Sequence, residues 1–251
     1  MFSRVRHLSP SSDIVGSEEW SMRHTSRPAS LPSLPLVGNF KRFAKAFKGR
    51  DFIEIGSIPG DFCAYFAKKF SCRVTGLDYG DARLFERTMR NYGIKNAAFI
   101  HADFLEFRAR KKYGIVASFG FIEHFTDTGG IIARHARLVA DRGYLVISAP
   151  NFNCLQRAFH SVFDSESLAL HNAAAMDREK VECAVSRAGF EICLSEYSAE
   201  STLWVEKAKN PLLLPLSAAG YAIAKVFNAF FGRMKSPCLS SYWLIIARKK
   251  A

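Results

Sequence analysis

The feature that most constrains this chain is a glycine-rich turn that joins an apolar run to an amphipathic helical stretch. Residues 52–60 read F-I-E-I-G-S-I-P-G, and the amphipathic stretch begins directly after them. This order is typical of a β-strand, a tight turn and a helix N-terminus. Glycine has no Cβ and accepts a positive φ, so the backbone of such a turn can approach a ligand closely. The unpaired N–H groups of the helix also favour an anionic group.

Four further apolar runs follow this turn and predict a sheet. They cover residues 73–78, 97–101, 113–118 and 143–148, with helical stretches between them. Strands that alternate with helices indicate βαβ units and a parallel sheet. Asp78 closes the first of these runs, and Asp103 follows the second. Ligands bind beyond the carboxyl ends of parallel strands, so these acids are candidate ligand contacts.

The spacing of two acids supports a nucleotide site. Asp78 lies 24 residues after Glu54, close to the spacing of about 20 residues at which nucleotide-binding folds place a carboxylate on ribose hydroxyls. Each acid also has a purely structural alternative. Glu54 could cap a helix, Asp78 could begin the next helix, and Asp103 could be a turn residue. Their common position at strand ends favours the nucleotide interpretation.

Residues 50–150 resemble a class I S-adenosylmethionine-dependent methyltransferase. The stretch E-I-G-S-I-P-G resembles the family's first motif, G-L-D its ribose-binding acid, A-D-F its adenine-contacting acid, and S-F-G-F-I-E-H-F its motif after the fourth strand. The chain departs from the family at Ile58, which replaces the middle glycine of the first motif and precedes Pro59. The resemblance implies a Rossmann-like α/β fold, with a doubly wound, mostly parallel sheet of seven strands, the last antiparallel, and helices on both faces.

The resemblance also implies S-adenosylmethionine as cofactor and S-adenosylhomocysteine as product. It assigns ten residues to the cofactor site: Glu54, Gly56, Ser57, Gly60, Asp78, Tyr79, Asp103, Phe104, Ser118 and Phe119. By this analogy Glu54 holds the ammonium of the cofactor, Asp78 accepts from both ribose hydroxyls, and Asp103 accepts from the adenine amine. Tyr79 and Phe104 bracket the adenine ring, where aromatic stacking adds to area burial.

Histidines supply the candidate chemistry on the acceptor side. His124 follows the fourth strand and is the candidate base, because imidazole titrates near neutral pH, and Glu123 is placed to orient it. A hydrogen-bonding role without catalysis stays equally open for His124. Residues 150–176 resemble a bacterial subgroup of small-molecule and glycan methyltransferases through the pattern P-N-F, F-D, H-N and a downstream Met. That resemblance implies that His160, His171 and Asn172 face the substrate.

Length and cysteine usage fit one intracellular domain. The chain has 251 residues, 49% of them hydrophobic, which suits one α/β domain with additions. Its six cysteines include no C-x-x-C pair and no His/Cys cluster at metal spacing, so no metal is predicted. We interpret them as reduced thiols of a cytoplasmic protein.

The first fifty residues are basic and compositionally distinct. Residues 1–36 are rich in Ser, Pro and Arg and predict a mobile segment ahead of a methyltransferase domain at 37–251. Residues 39–48 read N-F-K-R-F-A-K-A-F-K and predict a lid-like helix with three phenylalanines on one face. The net charge of +12 favours anionic partners, with solvated helix faces as the alternative.

Residues 211–232 form an apolar insertion before the last predicted strand at 241–247. The segment contains a single charged residue, Lys225, and its length matches the span of about 20 residues that a bilayer requires. A membrane span here would separate the last strand from its sheet. A helix packed on the core, a homodimer interface and a helix resting on the membrane surface remain as interpretations.

The sequence thus predicts a methyltransferase that acts on a hydroxyl of a small molecule or glycan. N- or S-methylation of another metabolite is the first alternative. RNA methylation ranks lower, because no aromatic-flanked basic motif marks a nucleic-acid surface. A cofactor-binding module without activity is the last alternative, and the acids at positions 54, 78 and 103 argue against it.

Overall fold

The structure is a computed structural model that describes residues 37–169, 171–198, 203–204, 211–231 and 234–250. The predicted mobile segment 1–36 lies outside the described residues. The strands are β1 (Asp51–Ile55), β2 (Arg73–Asp78), β3 (Ala98–His101), β4 (Tyr113–Phe119), β5 (Val139–Pro150), β6 (Phe190–Tyr197) and β7 (Tyr242–Lys249). The helices are α1 (Val37–Phe40), α2 (Ala44–Phe47), α3 (Asp61–Phe70), α4 (Ala82–Asn91), α5 (Thr128–Leu138), α6 (Cys154–Phe163), α7 (Ser165–Ala169), α8 (Arg178–Arg187) and α9 (Leu214–Phe231). Short 3₁₀ helices cover Lys41–Phe43, Ile122–His124 and Pro211–Leu213.

The seven strands form one sheet in the order β3-β2-β1-β4-β5-β7-β6. Strands β1 to β5 pair in parallel, whereas β7 runs antiparallel to both of its neighbours, β5 and β6. The chain order reverses at β1, from which β2 and β3 extend to one side and β4 to the other. Open α/β sheets bind ligands at such a switch point. The predicted doubly wound sheet with an antiparallel last strand is confirmed.

Apolar side chains cover both faces of the sheet. On one face the core joins strand residues such as Val116 and Ile147 to Ile131 of α5 and Val181 of α8. On the other face, Val146 and its neighbours pack with residues of α1 to α4, including Phe40, Phe47, Phe66 and Phe85. Near-continuous apolar strands are expected where helices cover both faces. The predicted helices on both faces are therefore confirmed.

The predicted helix at 39–48 is broken into α1, a 3₁₀ turn and α2. Phe40 and Phe47 are fully buried, whereas Phe43 is only partly buried. The Phe47 ring packs deep against Phe66 of α3, and the Phe40 ring reaches Phe119 at the end of β4. The segment is thus anchored to the core through two aromatic side chains, and its role as a lid stays a prediction.

The apolar insertion folds into α9 and packs on α6 through one side. Gly220 lies so close to Phe163 that an added Cβ would come within 2.7 Å of it. Asn228 exchanges two hydrogen bonds with the backbone of Leu203. The helix is long and apolar enough to cross a membrane by length and composition, with 17% of it buried. Its outer side exposes large apolar side chains, among them Tyr221, Val226 and Phe230.

One disulfide corrects the interpretation of all six cysteines as reduced thiols. Cys154 at the start of α6 is bonded to Cys238, 84 residues later. Asn151 reinforces the same junction, because its side-chain amide donates to the carbonyls of Pro237 and Ser240. The other four cysteines are free thiols: Cys63, Cys72, Cys183 and Cys193. The sequence could not show the pair, since the two cysteines meet only through the fold.

Candidate functional site

A cleft opens at the carboxyl ends of β1, β2 and β4, beside the switch point of the sheet. The residues that line it are Gly56, Leu77, Asp78, Tyr79, Ala102, Asp103, Phe104, Phe121, His124 and Phe125. Five of the ten predicted cofactor residues and the predicted base therefore share one cleft.

The glycine turn folds closely against this cleft. Gly56 has a φ of +70° and Gly60 a φ of +103°, a region that favours glycine. A Cβ at Gly56 would lie 2.5 Å from the Phe121 ring, so the missing side chain lets that ring cover the turn. A Cβ at Gly60 would meet Phe85 at 2.8 Å. Gly56 therefore lines the cleft, whereas Gly60 allows close packing on α4.

Glu54 lies beneath the turn as a buried helix cap. Its Oε2 accepts the N–H of Cys63, at 2.9 Å, in the first turn of α3. Burial raises the pKa of the Glu54 carboxyl to about 8, and the nearby Asp61 and Asp78 carboxylates add to the increase. The structural alternative for Glu54 is thus present in the structure. Its predicted contact with a cofactor ammonium stays a prediction.

Asp78 fixes the turn while facing the cleft. Its two carboxylate oxygens accept the N–H of Ile58 at 3.1 Å and the N–H of Gly80 at 2.8 Å. The side chain of Ile58 is buried against Gly80, so the residue that departs from the family pattern packs behind the loop. A carboxylate has about four acceptor sites. Asp78 can therefore hold the loop and still accept from a ligand hydroxyl.

The next strand end supplies a flat, partly apolar wall. Asp103 is exposed and accepts the N–H of Leu105 at 2.7 Å, which makes it a turn acid as well as a lining residue. Phe104 is buried, with its ring edge-on to Phe121 at 5.7 Å between centroids. Tyr79 also lines the cleft, and its carbonyl oxygen lies 2.8 Å from Nε2 of His101. These positions suit the predicted bracketing of a planar ring.

Four other predicted cofactor residues lie outside the cleft lining. The hydroxyl of Ser118 is fully buried and lies 3.1 Å from Nε2 of His135, whose pKa burial lowers to about 4. Phe119 stacks on Phe62 at 3.7 Å, on the other face of the sheet. Ser57 is buried against Gly76, and Gly60 packs as described above. None of these four residues is among those that line the cleft, and their predicted cofactor contacts stay predictions.

Where His124 lines the cleft, it meets Glu123 and His171. His124 Nε2 lies 4.0 Å from Glu123 Oε1, and the two imidazole centroids are 5.0 Å apart. Glu123 is almost fully buried, and this burial raises the pKa of its carboxyl to about 8. The predicted base thus has a carboxyl group and a second imidazole beside it, although 47 residues separate His171 from His124.

The other predicted substrate residues are His160, which is linked to His171 through the ring of Phe152, and Asn172. Phe152 lies between two histidines, with centroid distances of 4.9 Å to His171 and 4.3 Å to His160. His160 is fully buried, and its Nδ1 lies 3.2 Å from Asp164. The side chain of Asn172 donates to the backbone carbonyl of Phe125, and its predicted substrate contact stays a prediction.

Two lining residues, Phe121 and Phe125, were missed by the sequence interpretation. They lie before and after the predicted base in the sequence, and their ring centroids are 4.8 Å apart. The alternation of aromatic and polar residues in S-F-G-F-I-E-H-F was the available signal. Phe152 was quoted in the P-N-F motif, but its position between two histidines depends on α6 and the loop at 171.

Comparisons with known proteins agree with this geometry. A family model described as a methyltransferase domain matches residues 33–204. A search of curated protein sequences found no match. Among solved structures, the N-methyltransferase NodS of Bradyrhizobium japonicum, in complex with S-adenosyl-L-homocysteine, is similar with a TM-score of 0.56 and 13% identity, over 95% of each chain.

Two further solved structures share the fold. The magnesium protoporphyrin IX methyltransferase of Synechocystis, with bound S-adenosylhomocysteine, has a TM-score of 0.55 and 11% identity over 86% of this chain and 84% of its own. A phosphoethanolamine N-methyltransferase of Haemonchus contortus has a TM-score of 0.58 and 16% identity over 85% of this chain and 53% of its own. The chain therefore belongs to the methyltransferase domain family and is a class I S-adenosylmethionine-dependent methyltransferase with a Rossmann-like fold.

Proposed function

We propose that this methyltransferase transfers the methyl group to a hydroxyl oxygen of a small molecule or glycan. The observation that carries the proposal is the group of Glu123, His124 and His171, of which His124 lines the cleft. A hydroxyl must lose its proton to become a methyl ether, whereas a neutral amine attacks through a lone pair it already has. Proton-accepting groups beside the cleft therefore favour an oxygen acceptor.

The cleft fits S-adenosylmethionine by the chemistry of its lining. Asp78 and Asp103 supply carboxylate acceptors for ribose hydroxyls and an adenine amine, and Tyr79 and Phe104 supply aromatic surface. Gly56 leaves room for close approach of the turn. When bound, the cofactor supplies a methyl group on a sulfonium sulfur, which becomes a neutral thioether as the methyl leaves.

The chain's own contribution is orientation, exclusion of water and removal of one proton. Phe121 and Phe125 wall the acceptor end with apolar surface, which excludes water and strengthens local electrostatic interactions. His124 is the group placed to take the proton of the acceptor oxygen, since it lines the cleft directly. Glu123 and His171 lie beside it.

The acceptor atom can be identified directly. The protein is incubated with S-adenosylmethionine carrying a ¹³C-labelled methyl group and a panel of sugars, sugar nucleotides, phenols and amines. The carbon chemical shift of the product distinguishes a methyl group on oxygen from one on nitrogen or sulfur. We expect turnover with hydroxyl acceptors and an O-methyl signal. Turnover confined to amines would contradict the proposal and favour the N-methyltransferase alternative.

We also propose that α9 rests on a membrane surface of anionic lipids. It presents exposed Tyr221, Val226 and Phe230, and Leu212 in the preceding 3₁₀ turn is exposed as well. The chain's net charge of +12 complements an anionic bilayer, which attracts basic proteins over roughly a Debye length. An amphiphilic acceptor, such as a lipid-linked glycan, suits an enzyme in that position. Peripheral membrane contact is thus part of the proposal, whereas the predicted cytoplasmic location is opposed by the Cys154–Cys238 disulfide.

A further inference from the structure

Three potential metal ligands meet at the acceptor end of the cleft. One ligand atom each from Glu123, His124 and His171 lies within 4.8 Å of the other two. Glu123 is 1% exposed, and its Oε2 has no hydrogen-bond partner among the residues that the structure describes. An unpartnered carboxylate oxygen costs free energy in the interior of a protein unless a cation or a donor satisfies it. The arrangement therefore points to a positively charged ligand.

Backbone contacts hold the three groups together across a long separation in sequence. The N–H of Asn172 donates to the carbonyl of Glu123 at 2.7 Å, next to His171. The side-chain amide of Asn172 donates to the carbonyl of Phe125, also at 2.7 Å. The Phe152 ring packs against His171 from the other side. The loop that carries His171 is thus fixed to the 3₁₀ turn that carries Glu123 and His124.

Two imidazoles and one carboxylate form a ligand set that divalent transition metals prefer. Catalytic Zn²⁺ sites commonly use three protein ligands and leave a position for water or substrate, and two histidines with one carboxylate also suit Fe²⁺. Metal–nitrogen bonds are about 2.0–2.1 Å. The ligand atoms of Glu123, His124 and His171 lie within 4.8 Å of one another. To bind one ion, these side chains must move closer together through changes of rotamer.

We propose that Glu123, His124 and His171 bind one divalent transition-metal ion whose open position takes the acceptor oxygen. This inference rests on the proposed O-methylation and changes one step of it. With the ion bound, His124 is a ligand, and the positive charge lowers the pKa of the coordinated hydroxyl. The hydroxyl proton leaves to water, and the oxygen then forms its bond to the methyl carbon as the carbon–sulfur bond breaks.

Metal binding can be measured without any acceptor. The full chain, with affinity tag removed and metal stripped by a chelator, is titrated with Co²⁺ alone and then with Zn²⁺ alone. We expect one equivalent of Co²⁺ with a visible absorption band, displaced by Zn²⁺. In Glu123→Gln and His171→Ala we expect affinity to fall by more than the about 10–100-fold that loss of an outer-shell partner costs. His101→Ala, which changes an exposed histidine outside the group, is the matched control.

The variants separate the possible results. His171 is only partly buried, so His171→Ala tests the site if Glu123→Gln fails to fold, as judged by circular dichroism. Absence of binding, or binding that survives both substitutions, overturns the inference; the second result would point to exposed thiols such as Cys183. O-Methyl product formed in excess chelator would leave the proposed function standing without the metal. Metal binding together with exclusive N-methylation would instead retain the site and reject the O-methyl acceptor.

Discussion

At the scale of single residues, the site depends on groups whose burial changes their chemistry. Glu54 illustrates this, because it was predicted from its place in a motif but is held as a cap on α3. Motif spacing identified Asp78, Tyr79, Asp103 and Phe104 as cleft residues, since strand ends in a parallel sheet converge. Spacing could not show that Ser118 turns inward to His135, because that depends on which side of β4 faces the core.

Ionisation of Glu54 opposes folding, which makes stability depend on pH. Its pKa is about 8 in the folded protein, against an ordinary value of 4.5. Between pH 4.5 and about pH 8, the folded chain therefore keeps a proton that the unfolded chain has lost. The free energy of unfolding falls as the pH rises through this range. Glu54→Gln retains an acceptor for the Cys63 N–H without this ionisation. Urea unfolding at several pH values between 4.5 and about 8 measures this effect. We expect the free energy of unfolding of Glu54→Gln to fall less with rising pH than that of the parent, with a difference of about 1 kcal/mol or more. Parallel pH profiles for the two proteins would contradict this.

Gly56 is the second residue with a testable role. Gly56 and Gly49 have nearly equal φ values, +70° and +72°, but only Gly56 lies against a side chain, that of Phe121. Alanine at either position incurs the left-handed penalty of about 1–2 kcal/mol. We expect a larger loss of stability in Gly56→Ala, because its Cβ must also displace the Phe121 ring, and a loss of S-adenosylhomocysteine affinity of at least about tenfold, or about 1.4 kcal/mol, in Gly56→Ala alone. Calorimetric titration of both variants checks this, and equal affinities would remove Gly56 from the cofactor site.

At the scale of elements, the strands were predictable and their packing partners were not. The run 73–78 matches β2 at both ends, because apolar periodicity bounded by polar residues defines a short strand. The helix at 39–48 was predicted as continuous, but it is divided where a 3₁₀ turn lets Phe40 and Phe47 enter the core. The junction of α6 with the segment before β7 depends on Cys154 and Cys238, whose pairing no local pattern reveals.

The disulfide is expected to stabilise that junction. A loop closed over 84 residues contributes about 4.6 kcal/mol in the chain-entropy model. Thiol titration of protein denatured without reductant should count four thiols, and six after reduction. Reduction, or the substitution Cys154→Ser, should lower the melting temperature. Six thiols without reductant would show that the pair is open, as expected for a reducing compartment.

The exposed side of α9 carries the proposed membrane contact. Phe230 is 79% exposed and Val226 is 63% exposed, so Phe230→Glu with Val226→Glu should leave the melting temperature nearly unchanged. We expect the parent protein to sediment with vesicles that contain anionic lipid and the double variant to stay in solution. Lys225→Gln is the matched control, since it changes the charge of the same helix and leaves its apolar side chains in place. A concentration-dependent dimer with no vesicle binding would assign this side to a second copy instead.

At the scale of the whole molecule, the sheet brings together the residues suited to bind a nucleotide and the residues proposed to act on the acceptor. The ends of β2 and β3 supply the nucleotide-type wall, and the segment after β4 supplies Glu123 and His124. The class of fold followed from the order of strands and helices, which local sequence encodes. The position of His171 beside His124 could not be predicted in this way. The loop that carries His171 is held by contacts of Asn172 with a segment 46 to 49 residues away.

Calorimetric titration with S-adenosylhomocysteine tests the central claim, that this cleft is the cofactor site, most directly. The titration compares the parent protein with Asp78→Ala and with Asp81→Ala, a nearby exposed acid that caps α4. We predict one site of micromolar affinity, about 8 kcal/mol of binding free energy, in the parent and in Asp81→Ala. Asp78→Ala should lose detectable binding while remaining folded. Binding of equal strength in Asp78→Ala, or none in the folded parent, would contradict the account.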